Sequence, residues 1–146
     1  MHVASGYIPV TGEDLARRLR VIFEGITELV QAHRPAEVVV EQVFMHRNAA
    51  SALKLGQARG AALLAGAMQS LPVYEYAPKA VKQAITGKGN ATKEQVQHMV
   101  KVLLALPGRP RNDAADALGV ALCHAHTQET LRRRSRLSVG SAEAPP

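Results

Sequence analysis

Glu37-Val38-Val39-Val40-Glu41 is the stretch on which the fold turns. Three consecutive β-branched residues between two acids suit a short strand covered on both faces, the pattern of an α/β sheet interior. On either side the apolar period becomes helical. Upstream, Leu15, Leu19, Ile22, Ile26 and Leu29 fall on one face of an amphipathic helix that closes before Pro35. Thr11 and Asp14 stand three apart ahead of it, the spacing of a capping box. Downstream, a loop from Gln42 to Asn48 leads into an Ala- and Leu-rich segment, Ala49 to Ser70, that is apolar nearly all round. Such a helix is expected to be largely buried. Its Gly56 and Gly60, one turn apart, would let another backbone approach closely, either the sheet's or that of a partner subunit's helix.

Further along, Pro72-Val73-Tyr74-Glu75-Tyr76 reads as another strand, and Pro78 to Ile85 as a helix. A Gly- and Lys-containing loop, Thr86 to Ala91, follows. Thr92 and Gln95 then form a second capping-box pair ahead of Val96, Met99, Val100 and Leu103. After a Pro/Gly/Arg loop, Asn112 or Asp113 caps a last helix carrying Ala117, Leu118, Ala121 and Leu122 on its apolar side. Val3 to Val10 alternates loosely and is a third strand candidate. Strands alternating with helices give the class α/β. Residues 1–127 are expected to form one domain, with 128–146 a basic, disordered tail. Three strands are few for this much apolar helix, so strands ahead of Met1 are expected to be missing.

The chain's 146 residues suffice for one core. With 47% hydrophobic and 21% charged residues, disordered and fibrous classes drop out. No apolar run approaches the ~20 residues that span a bilayer, and residues 1–6 lack the basic and apolar regions of a signal peptide. A single cysteine, Cys123, cannot build a disulfide framework and suits a reducing compartment. These features predict a cytoplasmic protein with no membrane partner. Eighteen Lys and Arg against twelve Asp and Glu give a net charge of +6, which favours a polyanionic partner. Part of that excess lies in Arg132-Arg133-Arg134-Ser135-Arg136.

Several residues could carry chemistry. Glu41 stands at the carboxyl end of its strand, where open α/β sheets place ligands, although it is equally the polar residue with which a strand leaves the core. Asp113 and Asp116 share one helix face, and acids at a helix start also serve simply as caps. A strand-end Glu opposite two helix-borne Asp residues makes an oxygen-donor set for Mg²⁺, the chemistry of phosphodiester hydrolysis. Phe44, one of five aromatics, lies among polar and basic neighbours that include Arg47. It would stack on an unpaired base or wedge into a distorted step, or else staple the next helix. Lys79, Lys82, Lys88 and Lys93 cluster around Gly89 in a way that suits phosphate contacts or a solvated loop. Cys123, His124 and His126 lack a second ligand group at zinc spacing, and histidines near a helix end would serve its dipole.

Taken in order, Val38-Val39-Val40-Glu41-Gln42-Val43-Phe44, the run Asn48 to Gly60, Tyr76-Ala77-Pro78, Val81-Lys82-Gln83, Lys93-Glu94-Gln95-Val96-Gln97 and Asp113-Ala114-Ala115-Asp116-Ala117-Leu118 closely resemble the RuvC family of bacterial Holliday-junction resolvases. The resemblance runs from about residue 2 to residue 127. It implies a ribonuclease H-like mixed sheet flanked by helices, a homodimer, and Mg²⁺-dependent paired nicking of four-way DNA junctions in recombination and repair, with Mn²⁺ as a substitute. By resemblance, Glu41, Asp113 and Asp116 are catalytic metal ligands. Phe44 and Arg47 engage the junction, Lys82, Lys88 and Lys93 contact DNA, and Gly56, Gly60 and Leu64 belong to the dimer interface. A branch-migration motor is a further partner implied by the family.

One departure matters. Members of this family begin with a strand ending in a Gly-Ile-Asp-Pro-Gly-like motif, whose Asp is a catalytic carboxylate, and a second strand follows. Neither is present in these 146 residues. Residues 1–8 correspond instead to the family's third strand, so the chain reads as N-terminally truncated and little or no cleavage is expected of it. A non-catalytic junction-binding module is the alternative function. An adaptor that binds protein through the 49–70 helix is a third.

Overall fold

A computed structural model describes residues 1–12, 14–43 and 48–140, the last three of these as backbone only. The Val38–Glu41 stretch forms strand β1, and Val73–Tyr76 forms β2. They pair in parallel, with Val38 opposite Val73 and Glu41 opposite Tyr76. Helix α2, Ala49–Met68, supplies the crossover that a parallel pair requires. Helix α1, Leu15–His33, packs along α2. On the other side α3 (Pro78–Thr86), α4 (Lys93–Leu103) and α5 (Asn112–Gly140) pack together. Among the described residues the sheet has these two strands only.

Strand alternation assigns the faces. Val38 looks toward α2, where a Cβ built on Gly66 would lie 3.0 Å from its Cγ2. Val39 points the opposite way, into a core of Val81, Ile85, Ala91, Val96, Val100, Val120 and Cys123. Val100 is fully buried at its centre. By the same period Glu41 is on the face of Val39, and its register partner Tyr76 packs against that core.

Local signals place most helix ends. Thr92 and Gln95 make the reciprocal capping box at the start of α4. Pro78 opens α3, and Gly87, at φ 76°, closes it. Asn48 caps α2 by accepting from Ser51 N–H.

Four expectations are corrected. Residues 3–10 form no strand. They take no place on the edge of β1 or β2 and dock by side chains instead: Ile8 fills the space beside Gly25 on α1, and the Tyr7 ring lies under the Arg111 guanidinium at 4.4 Å. Helix α1 starts later than a Thr11 cap would put it. Gly12 at φ 106° is not helical, and Asp14 is the N-cap, accepting from Ala16 N–H at 3.1 Å. Helix α2 is not largely buried. Ala65 and Gly66 are its buried residues, while Leu53, Leu55, Leu64 and Met68 are exposed, because this single chain covers only one stripe of it. Residues 128–140 continue α5 as helix. No Pro or Gly interrupts them before Gly140, and a Glu129–Arg133 pair at i, i+4 supports the turn. The expected α/β class holds, its sheet among the described residues being the parallel β1–β2 pair flanked by helices.

Candidate active site

Glu41 ends β1, while Asp113 and Asp116 occupy the first turns of α5. Packing of α5 against both strands brings Glu41, more than seventy positions away in sequence, into one electrostatic group with the neighbouring Asp113 and Asp116. Partial burial pushes the Glu41 carboxyl above its ordinary range, and the Asp116 charge pushes it further; Lys93 and Lys82 oppose the rise. Burial likewise raises Asp116, with Lys93 lowering it and Asp113 raising it. Both side chains remain open to solvent, and two like charges placed together disfavour joint ionisation. Such a pair is relieved by a bound cation, a proton or the ammonium groups already beside it.

The four lysines singled out by sequence separate here. Lys82 on α3 and Lys93 on α4 act on the acids. Lys88 lies in the α3–α4 loop, where its backbone N–H donates to Thr86 Oγ1 at 3.1 Å, and its side chain is exposed. Lys79 folds over Gly89, filling the space that a Cβ there would need. Phe44 and Arg47 lie outside the described residues. Gly56 and Gly60 have no neighbouring atom within 4 Å of an added Cβ. Gly60 and Leu64 line an open apolar groove of about 510 Å³ between α1 and α2, with none of the acids in its lining. A smaller cleft of about 270 Å³ adjoins Asp113 and is lined by Tyr7, Arg111 and Ala114 among others.

Glu41, Asp113 and Asp116 offer only carboxylate oxygens, the donors Mg²⁺ prefers. Mg²⁺ is commonly held by one or two carboxylates with water and substrate phosphate. No three acidic, His or Cys groups among the described residues converge closely enough to cage an ion by themselves. The donor chemistry therefore fits a cation shared with a phosphate rather than an all-protein cage.

Two side chains outside the site residues read from the sequence hold this region together. His124 on α5, 8% exposed, joins the start of β1 to the end of β2. Its Nε2 lies 2.6 Å from Glu37 Oε2, and its Nδ1 lies 2.8 Å from the Tyr76 hydroxyl. A carboxylate can only accept, so Nε2–H donates to Glu37; in the neutral ring Nδ1 then accepts from Tyr76. The Tyr74 ring packs on the imidazole at 4.5 Å. The helix-dipole role expected of His124 is thereby replaced, since α5 runs on for sixteen residues beyond it. From the opposite face of the sheet, Arg59 of α2 donates through Nε to the Glu41 carbonyl at 3.0 Å and pairs with the Glu75 carboxylate. The backbone at Glu41 is thus tied to α2, and its partner Tyr76 to α5. The sequence clue was weak: Arg59 is one of a few polar residues, with Lys54 and Gln57, in a mostly apolar helix.

A family model described as crossover junction endodeoxyribonuclease RuvC matches residues 1–124. Among curated proteins, the crossover junction endodeoxyribonuclease RuvC of Hahella chejuensis is 58% identical over 137 residues, which is 94% of this chain and 80% of that protein. The RuvC of Methylococcus capsulatus is 58% identical over 135 residues, 92% of this chain and 82% of that one. Two solved Thermus thermophilus structures superpose at 40% identity, covering 81% of this chain and 72% of theirs. The RuvC structure itself gives a TM-score of 0.73, and RuvC in complex with a Holliday junction substrate gives 0.76. With α2 and α5 packed on the two faces of a parallel pair and a strand-end Glu set against helix-borne Asp residues, the chain belongs to the RuvC family of crossover junction endodeoxyribonucleases.

Proposed function

We propose that this protein recognises four-way DNA junctions and hydrolyses phosphodiester bonds in them by Mg²⁺-dependent paired nicking. The observation that carries the reading is the mutual electrostatic influence of Glu41 and Asp116 with Lys82 and Lys93 beside them. Glu41, Asp113 and Asp116 would hold the metal, which when bound activates water and neutralises the leaving oxygen; Mn²⁺ would substitute. Lys82 and Lys93 draw the scissile phosphate toward the acids and offset its charge. Lys88, on the exposed loop, contacts the backbone farther out. Phe44 and Arg47 engage the opened junction in this reading.

A paired cut needs two sites, and the exposed apolar side of α2 with the Gly60–Leu64 groove supports a homodimer. A branch-migration motor and a cytoplasmic location complete the proposal.

The test incubates the full chain, Glu41→Gln and Asp116→Asn with a labelled synthetic junction, with and without Mg²⁺. Cleavage by the parent alone, with junction binding retained in both variants, supports the assignment. Junction binding without any Mg²⁺-dependent product would favour the non-catalytic junction-binding module. That second reading draws on the lack of a closed three-acid cluster among the described residues.

A further inference from the structure

Helix α5 continues well past the core. Its last buried residues are Cys123 and His124, and from residue 129 to 137 every side chain is exposed. The overhang, residues 128–140, extends about 20 Å at 1.5 Å per residue. It carries Arg132, Arg133, Arg134 and Arg136 against a single acid, Glu129. Arg133 is paired with that acid at 2.8 Å. Arg132, Arg134 and Arg136 have no ion pair among the described residues.

Two structural explanations for these arginines fail. They do not neutralise the helix dipole, because the last turn of α5 contains no basic residue. Nor are they matched by acids along the helix: Glu129 is the one carboxylate they act on, it is already hydrogen-bonded to Arg133, and Arg132 and Arg136 are like charges at i, i+4, a spacing that costs stability. The helix is therefore self-repelling where it projects, and a polyanion lying along it would relieve that repulsion.

We infer that the arginine-bearing overhang of α5 is a second nucleic-acid contact, gripping the phosphate backbone of a duplex arm away from the acidic site. The inference rests on the junction-DNA reading above. One continuous helix carries Asp116 near its start and Arg132–Arg136 near its end, about 24–30 Å farther along. That span is just under one turn of B-DNA, ~34 Å, so the arginines would meet an arm rather than the scissile phosphate. Arg132 and Arg136 are ~6 Å apart along the axis, close to the axial rise of two phosphates on one strand, ~6.8 Å. Arginine's always-charged planar fork suits phosphate oxygens.

The test compares the full chain with the triple variant Arg132→Gln, Arg134→Gln, Arg136→Gln, which leaves the Glu129–Arg133 pair intact. Binding to a fluorescent four-way junction is measured by anisotropy from 50 to 200 mM salt without divalent metal. Three lost phosphate contacts should make the log K against log salt slope shallower by about 2.7, so the parent should lose ~40-fold more affinity than the variant over that range. Far-UV circular dichroism checks that the helix persists. If it does not, an Arg→Lys triple retaining the helix should keep the parent's slope, and loss of the slope there would overturn the inference. Equal slopes for parent and Gln variant overturn it while leaving the junction-DNA reading intact. Equal slopes together with binding of the parent alone to anionic vesicles would assign the surface to a membrane instead. Failure of the parent to bind any junction overturns both readings.

Discussion

Replacing His124 with alanine tests whether the imidazole bridge sets the geometry of the acidic site. The substitution removes the 2.6 Å hydrogen bond to Glu37 and the 2.8 Å hydrogen bond to Tyr76, together with the ring that stacks on Tyr74. A hydrogen bond to a charged group contributes about 1.5–3 kcal/mol and a neutral one about 1 kcal/mol. Glu37 keeps a 37% exposed side chain and can rehydrate, which offsets part of the first term. The vacated space at a position 8% exposed adds a cavity term. The expected cost is about 2–4 kcal/mol, or a melting temperature lower by roughly 6–12 °C at about 3 °C per kcal/mol. Urea unfolding followed by circular dichroism measures it, in a double-mutant cycle with Tyr76→Phe. A coupling of about 1 kcal/mol is expected from the shared bond. A His124→Ala cost below about 1 kcal/mol, or additivity within about 0.3 kcal/mol, would refute the bridge as a structural tie.

Glu41→Gln should stabilise the protein slightly at neutral pH, the gain being kept small because the group is solvent-exposed. Its raised folded-state value means that the native chain binds its proton more tightly than the unfolded chain, so stability is lost as pH rises from the ordinary carboxylate range through that value. Thermal melts at pH 7 and about pH 3.5 should show the gain at the first and none at the second. Thr92→Ala removes the hydroxyl that accepts from Gln95 N–H in the α4 capping box, leaving the Thr92 backbone arm to Gln95, and should cost about 1 kcal/mol in chemical denaturation. Gly87→Ala forces an L side chain to φ 76° at the end of α3, with an expected cost of about 1–2 kcal/mol by the same measurement.

Capping and breaking signals in the sequence located four helix starts or ends to within a few residues, because those signals act through hydrogen bonds between neighbours in the chain. Val38-Val39-Val40 declared itself a strand for the same local reason. The acids were legible too, Glu41 by its place at a strand end and Asp113 and Asp116 by their spacing on a helix. The N-terminal segment misled, because alternation marks a residue's fitness for a strand while a strand also needs a partner edge. The tail misled in the opposite sense: a polar, arginine-rich composition suggested disorder, yet nothing in residues 128–139 breaks a helix already nucleated against the core.

By itself, then, the sequence determined the α/β class, the α4 capping box, the candidate acids and the family resemblance, all written in short-range patterns and ordered motifs. Only the tertiary structure decided that Glu41 and Asp116 influence one another, that Lys82 and Lys93 join them while Lys88 does not, and that His124 and Arg59 brace the strand ends. Those facts depend on how α2 and α5 pack on opposite faces of β1 and β2. Residues 37 and 124 are 87 positions apart, and no periodicity within a segment records which residue of another segment will face it.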